Sequence, residues 1–204
     1  MKEIRAFNFE VRAENDEERG SVLTGMPIVF NERTDLGMFD EIIDPEALSE
    51  TDLRDVRFLV NHDTSMIPLA RSRNNNANST MQMEVLPEKG MNIRVNLDTE
   101  NNTEARALYS AVERGDITGM SFMYTVDSDM WEDIDTDHPT RHIRNISKVF
   151  EVSAVTFPAY EATSIQARGL SDALESAQAS LESARAAQRE TERRKQRIRI
   201  LMEV

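Results

Sequence analysis

The sequence predicts an α+β fold built mostly from antiparallel strands, with helices beside them and one more helix at the C-terminus. Three observations carry this prediction. Short segments of alternating apolar residues recur through the first 157 positions, one segment among them has helical periodicity, and an Ala/Glu/Gln/Arg-rich segment with three-four spacing follows them. A chain of 204 residues is long enough for one domain with a substantial core and an appendage. We therefore expect one domain over residues 1–168 and a helical, basic extension over residues 169–204.

The first half of the chain is predicted to consist of strands, turns and one short helix. Alternation of apolar residues predicts strands over residues 4–11, 22–30, 55–60, 81–86 and 91–97. The polar segment 14–20 is typical of a turn, so the first two strands should be neighbours in one sheet. Asp44 as N-cap and Pro45 at the first helical position predict a short helix that runs to about Leu53.

The second half is predicted to contain a helix, two strands and the C-terminal helix. Apolar residues at helical spacing predict a helix over residues 104–114, which Gly115 ends. Strands are expected over residues 117–126 and 148–157. The last segment is predicted to be helical to about Arg199, with a spacing that suits packing on a partner, so self-association is one expectation.

The composition excludes several classes of protein. Without cysteine the chain can form neither a disulfide, nor a thiolate zinc site, nor a catalytic thiol. Residues 185–204 include seven basic and three acidic residues, a net charge of +4, so residues 1–184 carry −17 within the overall −13. Such an acidic body lacks the clustered Lys and Arg that phosphate contacts need, so we expect no nucleic-acid partner. No apolar run reaches the roughly 18 residues of a membrane helix and no signal-peptide core is present, so we expect a soluble, intracellular protein without a membrane partner.

Six acidic residues within residues 127–137 raise the question of a calcium site. The segment lacks the glycine that an EF-hand loop needs at its sixth position. We therefore predict a solvated, mobile hairpin loop, with no metal and no other cofactor. His138 and His142 flank this loop outside any apolar strand pattern, which predicts surface histidines.

Three polar side chains in or beside apolar strands are candidates for catalysis. Ser121 lies in an apolar run just after Gly119, and Glu151 lies in the middle of a predicted strand. His62 follows the strand over residues 55–60, and in a regular strand it would continue the face of Val56, Phe58 and Val60. An alcohol needs a hydrogen-bonded base to become a nucleophile, and a carboxylate can orient that base.

Each of these side chains also has a structural interpretation. Ser121 could be a buried strand serine bonded to a carbonyl, and His62 a hydrogen-bonded structural histidine. A buried carboxylate needs a partner, which for Glu151 could be Arg144 or Arg168 as well as a histidine. The residues taken singly leave both interpretations open.

Three motifs occur in order along the chain: Asn61-His62-Asp63, then Gly119-Met-Ser121-Phe-Met, then Glu151-Val-Ser-Ala-Val-Thr-Phe-Pro158-Ala-Tyr160-Glu-Ala-Thr163. Together they resemble the prohead (capsid maturation) proteases of tailed bacteriophages, over roughly residues 4–168. The third motif is the most specific. That family is related in fold to the herpesvirus assemblins, so the resemblance implies an assemblin-like, β-barrel-like core.

The resemblance also implies a role for each candidate residue. Ser121 would be the nucleophile, His62 the base that takes its proton, and Glu151 the third catalytic member. The assemblins have a histidine at the third position, so the chain departs from them there. Asp63 is the rival for this role, although as the neighbour of His62 on a strand it should point to the opposite face.

The function implied by the resemblance is that of a serine endopeptidase. It would cleave the scaffolding part of the major capsid protein precursor, and itself, inside the assembling procapsid in the host cytoplasm. A noncatalytic scaffold or capsid-associated protein is the alternative. A serine esterase of the common hydrolase fold is disfavoured, because Met123 stands where a Gly-x-Ser-x-Gly motif has its second glycine.

An oxyanion hole is required by this chemistry, and the sequence offers several donors. The backbone N–H groups of residues 119–121 and the side chains of Arg71 and Arg168 are the candidates. The basic cluster between Arg189 and Arg199 is typical of a solvated helix face, with attraction to an acidic capsid scaffold as its functional alternative.

Overall fold

The computed structural model describes residues 2–7, 11–16, 20–156 and 167–202. The described residues form eleven strands and two helices: β1 Lys2–Phe7, β2 Arg12–Asp16, β3 Gly20–Val29, β4 Thr34–Asp35, β5 Asp40–Ile43, β6 Asp55–Val60, β7 Ala70–Arg73, β8 Met81–Leu86, β9 Gly90–Asn96, α1 Thr103–Glu113, β10 Gly119–Glu132, β11 Thr140–Val155 and α2 Ala167–Met202.

A long antiparallel hairpin of β10 and β11 organises the larger, seven-stranded sheet. β1 pairs antiparallel with β10 on one side. On the other side β11 is long enough for two parallel neighbours, so residues 140–143 pair with β5 and residues 151–154 pair with β6. β4 and β7 extend the sheet beyond β5 and β6. The sheet therefore branches at β11, and the end of β6 lies beside the end of β11.

The core lies between this sheet and a second sheet of four antiparallel strands in the order β2-β3-β9-β8. The larger sheet contributes Phe58, Phe122 and Val152, which are cross-strand neighbours on one face and have no exposed surface. The second sheet contributes residues such as Leu23 and Ile93 to the same apolar cluster. Because side chains alternate along a strand, the neighbours of Phe122 and Val152 point to the opposite face of the larger sheet.

The predicted fold class is confirmed in its coarser form. The chain is α+β, most strand pairs are antiparallel, and a helix follows the strands. The predicted barrel is not found: within the described ranges the two sheets do not close, and β1, β4 and β7 are edges of the larger sheet. A sheet whose end strands do not pair with one another does not form the closed ring of a barrel. The two β11 pairings that are parallel were not predicted.

Several local predictions for the first half of the chain are wrong. Residues 45–50 form successive turns instead of the predicted helix, with the N–H of Ala47 bonded to the carbonyl of Asp44 at three-residue spacing. The segment predicted as a polar turn contains β2, which pairs with β3. The first predicted strand and β3 are not neighbours, because β1 pairs with β10.

Other elements agree with the sequence. The strand predicted over residues 22–30 is found as β3, with a register shift between Gly25 and Ile28, and the β8–β9 hairpin lies where alternation placed it. α1 begins after Asn102, whose side chain accepts hydrogen bonds from the N–H groups of Glu104 and Ala105. Gly115, with φ of 77°, follows its end.

The C-terminal helix α2 is confirmed, and part of it contacts the sheet. Ser180 bonds the carboxylate of Asp129, and Arg185 donates to the carbonyl oxygen of Ile134. Neither of the two described helices combines the length and the apolar character needed to cross a bilayer. The division at residue 168 into a protease domain and an extension stays a prediction.

Candidate active site

Two of the three predicted site residues lie on the hairpin of β10 and β11, on the face turned away from the core. Ser121 on β10 is the cross-strand partner of Ser153 on β11, and two positions further along Met123 is the partner of Glu151. Cross-strand partners point to the same face, and residues two apart on one strand do so as well. The hairpin therefore brings the hydroxyl of Ser121 and the carboxylate of Glu151 to one face.

His62 reaches this face through a left-handed turn after β6. Asn61 and His62 have φ values of 51° and 58°, a conformation for which Asn and His are among the favoured non-glycine residues. The turn is anchored to the end of β11, because Asn61 accepts a hydrogen bond from the N–H of Thr156 (2.9 Å) and donates one to its hydroxyl (3.1 Å). The prediction that His62 continues the face of Val56 and Phe58 is wrong, since the strand ends before it and the turn redirects the side chain.

The three side chains form one hydrogen-bonded chain. Nε2 of His62 lies 2.6 Å from Oγ of Ser121, and Nδ1 lies 2.5 Å from Oε1 of Glu151. Both distances are within or just below the range expected for a base and its hydrogen-bond partners. Ser121 has no exposed surface, and the side chains of His62 and Glu151 are 9% and 3% exposed. The arrangement can move a proton from the hydroxyl to the imidazole while the carboxylate holds the ring.

Ser153 joins this network and was not predicted. Its hydroxyl donates to Oε2 of Glu151 (2.6 Å) and accepts the backbone N–H of His62 (3.1 Å). It therefore fixes both the carboxylate and the turn that carries the imidazole. Its position two residues after Glu151 on one strand was the available signal, because it placed a second polar group on the same face.

Asp63, the rival of Glu151 for the third catalytic role, and Arg144, an alternative partner of Glu151, both have other partners. Asp63 accepts hydrogen bonds from the hydroxyl and the N–H of Ser65, which hold the pKa of its carboxyl below the usual range. Arg144 is paired with Asp44 at 2.8 Å. The side chain of Arg168 lies outside the described residues.

The oxyanion donors stay a prediction. Residues 119–121 lie in β10 between β1 and β11, where backbone N–H groups serve the sheet ladders. Arg71 on β7 donates twice to Asp55, at 2.7 and 3.0 Å. This pairing lowers the pKa of the Asp55 carboxyl and engages two of the donors of the guanidinium.

The acidic segment is strand rather than mobile loop over much of its length. β10 continues to Glu132 and β11 begins at Thr140, so only the intervening residues form the hairpin tip. His138 is 41% exposed, as predicted for a surface histidine. His142 is not the predicted surface histidine, because it lies within β11. Its side chain is 16% exposed and bonds Asp44 at 3.0 Å.

One group of described residues has the spacing of metal ligands. Asp35, Asp40 and His138 each place one ligand atom within 4.8 Å of the others. Burial of Asp40 would raise the pKa of its carboxyl, but hydrogen bonds from Arg33 and His138 outweigh burial and lower it. The guanidinium of Arg33 thus already compensates one of the two carboxylates of this group.

A serine hydroxyl on an imidazole that is held by a carboxylate defines the class of serine hydrolases. The profile of the caudovirus prohead serine proteases matches residues 7–176, and the chain belongs to this family. It is accordingly a serine peptidase of phage capsid maturation, as the three motifs predicted. The chain is similar to the prohead protease of Enterobacteria phage HK97, with 29% identity over 178 residues, which is 86% of this chain and 72% of the relative. No solved structure gives a significant match to the chain.

Proposed function

We propose that this peptidase is an endopeptidase that uses Ser121, His62 and Glu151 to cleave the scaffolding part of the major capsid protein precursor, and itself, inside the assembling procapsid in the host cell. The observation that carries the proposal is the continuous hydrogen-bonded chain from Oγ of Ser121 through His62 to Glu151. Family membership supports the substrate class.

The proposed reaction begins with attack by Oγ of Ser121 on the scissile carbonyl carbon. Nε2 of His62 takes the hydroxyl proton as the new C–O bond forms, and the carbonyl oxygen becomes an oxyanion. The same proton then passes from Nε2 to the leaving amine nitrogen as the C–N bond breaks, which leaves an acyl-enzyme. A water molecule, deprotonated by His62, releases the acyl group and restores the serine.

Glu151 and Ser153 keep His62 ready for this exchange. With its proton on Nδ1 the imidazole donates to Glu151, so Nε2 is free to accept from Ser121. The carboxylate also stabilises the imidazolium that forms when the proton has moved. Ser153 occupies the second carboxylate oxygen, so the carboxylate cannot turn away from the ring.

The described arrangement of the site is closed. Ser121 and Ser153 have no exposed surface, so a peptide carbonyl can approach Oγ only after the residues that cover it have moved. A closed serine suits a protease that has to wait until its substrate is assembled around it. We propose that substrate binding supplies the opening.

Contact with partners beyond the substrate is also a proposal. The stretch of α2 over residues 191–198 is exposed, and it includes much of the basic cluster. Self-association through this helix predicts a dimer or a larger species for the full chain and a monomer after deletion of residues 169–204. Light scattering of both purified proteins distinguishes these outcomes.

The experiment that tests the proposed function is co-expression of the full chain with its cognate capsid precursor, followed by intact-mass spectrometry. Wild type is expected to trim the precursor, whereas Ser121→Ala and His62→Ala should lose activity by about 10⁶-fold and leave the precursor uncut. Ser147→Ala is the matched control, because Ser147 is an exposed serine on the same strand as Ser153 and its hydroxyl donates to the carbonyl oxygen of Thr125. Equal trimming by wild type and Ser121→Ala would remove the mechanism. No trimming by wild type would favour the noncatalytic scaffold.

A further inference from the structure

A pocket of about 330 Å³ opens beside the candidate active site. Its floor is formed by strands β6, β10 and β11, and one wall comes from the loop that follows His62. The lining is mostly apolar, and its main members are Leu59, Met66, Pro68, Met123, Phe150 and Glu151. The mechanism described above uses only Glu151 among these residues.

The register of the sheet places this pocket one step along the hairpin from Ser121. Met123 is two residues after Ser121, and Leu59 is the cross-strand partner of Ser153, which in turn is the partner of Ser121. Two residues of a strand span roughly 6.4–6.8 Å, and alternate side chains of an extended peptide have the same spacing. When the scissile carbonyl of a peptide lies at Ser121, one of the peptide's side chains therefore lies over the pocket. This side chain belongs to a residue within two positions of the scissile bond.

The charges at the pocket are already compensated. Both carboxylate oxygens of Glu151 are bonded, one to His62 and the other to Ser153. Arg57 at the rim is 43% exposed and lies 3.3 Å from the carboxylate of Asp55. A charged substrate side chain would find no buried partner among these groups, whereas an apolar side chain would gain contact with the lining.

The size and flexibility of the lining suit a large apolar group. The volume is near the lower end of the roughly 300–1,000 Å³ of small-molecule pockets, so there is room for one bulky side chain. Met66 on the wall and Met123 on the floor are unbranched and can adapt to different shapes. We propose that this pocket is a specificity subsite that binds a leucine, methionine or phenylalanine side chain of the substrate within two positions of the scissile bond. This inference rests on the proposed function of the same site.

The first test measures occupancy of the pocket without catalysis. Full-length Ser121→Ala protein with ¹³C-methyl-labelled methionine is titrated with the amides of N-acetyl-leucine, N-acetyl-phenylalanine and N-acetyl-glycine, and methyl spectra are recorded. The leucine and phenylalanine amides are expected to shift the Met66 and Met123 signals in a saturable way, the glycine amide to leave them in place, and the Met130 signal to stay constant throughout. Equal shifts with all three amides, or none at Met66 and Met123, would overturn the proposal.

The second test fills the pocket from its rim. Thr64 lines the pocket and is exposed, so Thr64→Trp should occupy it without disturbing the core. Ile67→Trp is the matched control, because Ile67 is in the same loop, is 83% exposed and is absent from the lining. Thr64→Trp should abolish the methyl shifts, and Ile67→Trp should retain them.

In the capsid-precursor assay the same variants are compared site by site. Cleavage of bonds that have leucine, methionine or phenylalanine within two positions should fall at least about tenfold in Thr64→Trp, since loss of apolar contacts of this size costs that much, while Ile67→Trp should match wild type. An unchanged cleavage pattern in Thr64→Trp would overturn the subsite. If wild type shows no Ser121-dependent cleavage, the proposed function fails, and the titration alone decides whether the pocket binds apolar side chains.

Discussion

The hairpin of β10 and β11 buries a polar network near each of its ends, and the two networks differ in what their groups can do. Near the start of β10 the network consists of Ser121, His62, Glu151 and Ser153. Near the hairpin tip it consists of Arg141, Glu3, Glu41 and Asp129, with the guanidinium 2.7–3.1 Å from the three carboxylates. Both networks are almost inaccessible to solvent apart from Asp129, whose side chain is 16% exposed.

The comparison shows that burial and hydrogen bonding do not by themselves indicate catalysis. Burial would lower the pKa of Arg141, but Glu3 and Glu41 outweigh it and raise that pKa above the usual value, so the guanidinium never gives up a proton. An imidazole beside a hydroxyl can take up a proton and return it. The network at Ser121 is therefore suited to proton transfer, whereas the network at Arg141 holds β1, β5 and the hairpin together.

The largest expected effect is on catalysis, from Glu151→Gln. The amide would donate to Nδ1 and force the ring proton onto Nε2, so His62 could no longer accept from Ser121, and kcat should fall by about 10⁴-fold with the fold retained. The measurement is kcat for precursor cleavage alongside the melting temperature. Asp63→Asn is the control and should keep activity near that of wild type. A reversed result would assign the third catalytic role to Asp63.

The next effect is on stability, from Arg141→Met. Removing the guanidinium leaves buried carboxylates without their counter-charge, which should lower the free energy of unfolding by about 3–5 kcal/mol. Urea denaturation measures this loss, and activity per folded molecule should be kept. Arg114→Met is the control, because the pair of Arg114 with Asp116 is exposed and should contribute no more than about 1 kcal/mol. Loss of activity without loss of stability would contradict the structural role of the Arg141 network.

The sequence predicted best what depends on local pattern. Alternation located the strand of Ser121, the strand of Glu151 and the β8–β9 hairpin, and helical spacing together with Gly115 located α1. The residues predicted for the site lie within hydrogen-bonding distance of one another, although their catalytic roles stay predictions.

What the sequence did not predict depends on partners far away in the chain. The acidic segment looked too charged for a strand, but Asp129 is compensated by Arg141, which lies across the hairpin. The parallel pairing of β6 with β11 joins segments about ninety residues apart, as in the pair of Leu59 with Ser153, and no short pattern encodes it. The role of Ser153 follows from this pairing, so it became visible only in the structure.

A smaller effect on catalysis is expected from Ser153→Ala. The variant loses a hydrogen bond to the Glu151 carboxylate and one from the N–H of His62. We expect kcat to fall by about 10- to 100-fold, which corresponds to the free energy of the bond to the charged carboxylate. KM should stay unchanged, because the hydroxyl bonds the catalytic groups and not the substrate. A change in KM would contradict this positioning role, and a change in melting temperature without a change in kcat would show that Ser153 only packs the site.

The smallest effect tests how the Arg141 network is linked to α2. The hydroxyl of Ser180 bonds the Asp129 carboxylate and accepts the indole N–H of Trp131 at 3.1 Å, so this side chain joins the helix to the hairpin tip. Ser180→Ala should weaken that attachment by about 1 kcal/mol, which corresponds to roughly fivefold faster hydrogen exchange over residues 177–188. Ser183→Ala is the control, because Ser183 bonds the carbonyl of Ala179 within the same helix. Faster exchange only in Ser180→Ala would mean that α2 is held to the body by the same network that stabilises the tip. Equal exchange in both variants would instead favour an extension that begins near residue 169 and folds independently of the Arg141 network.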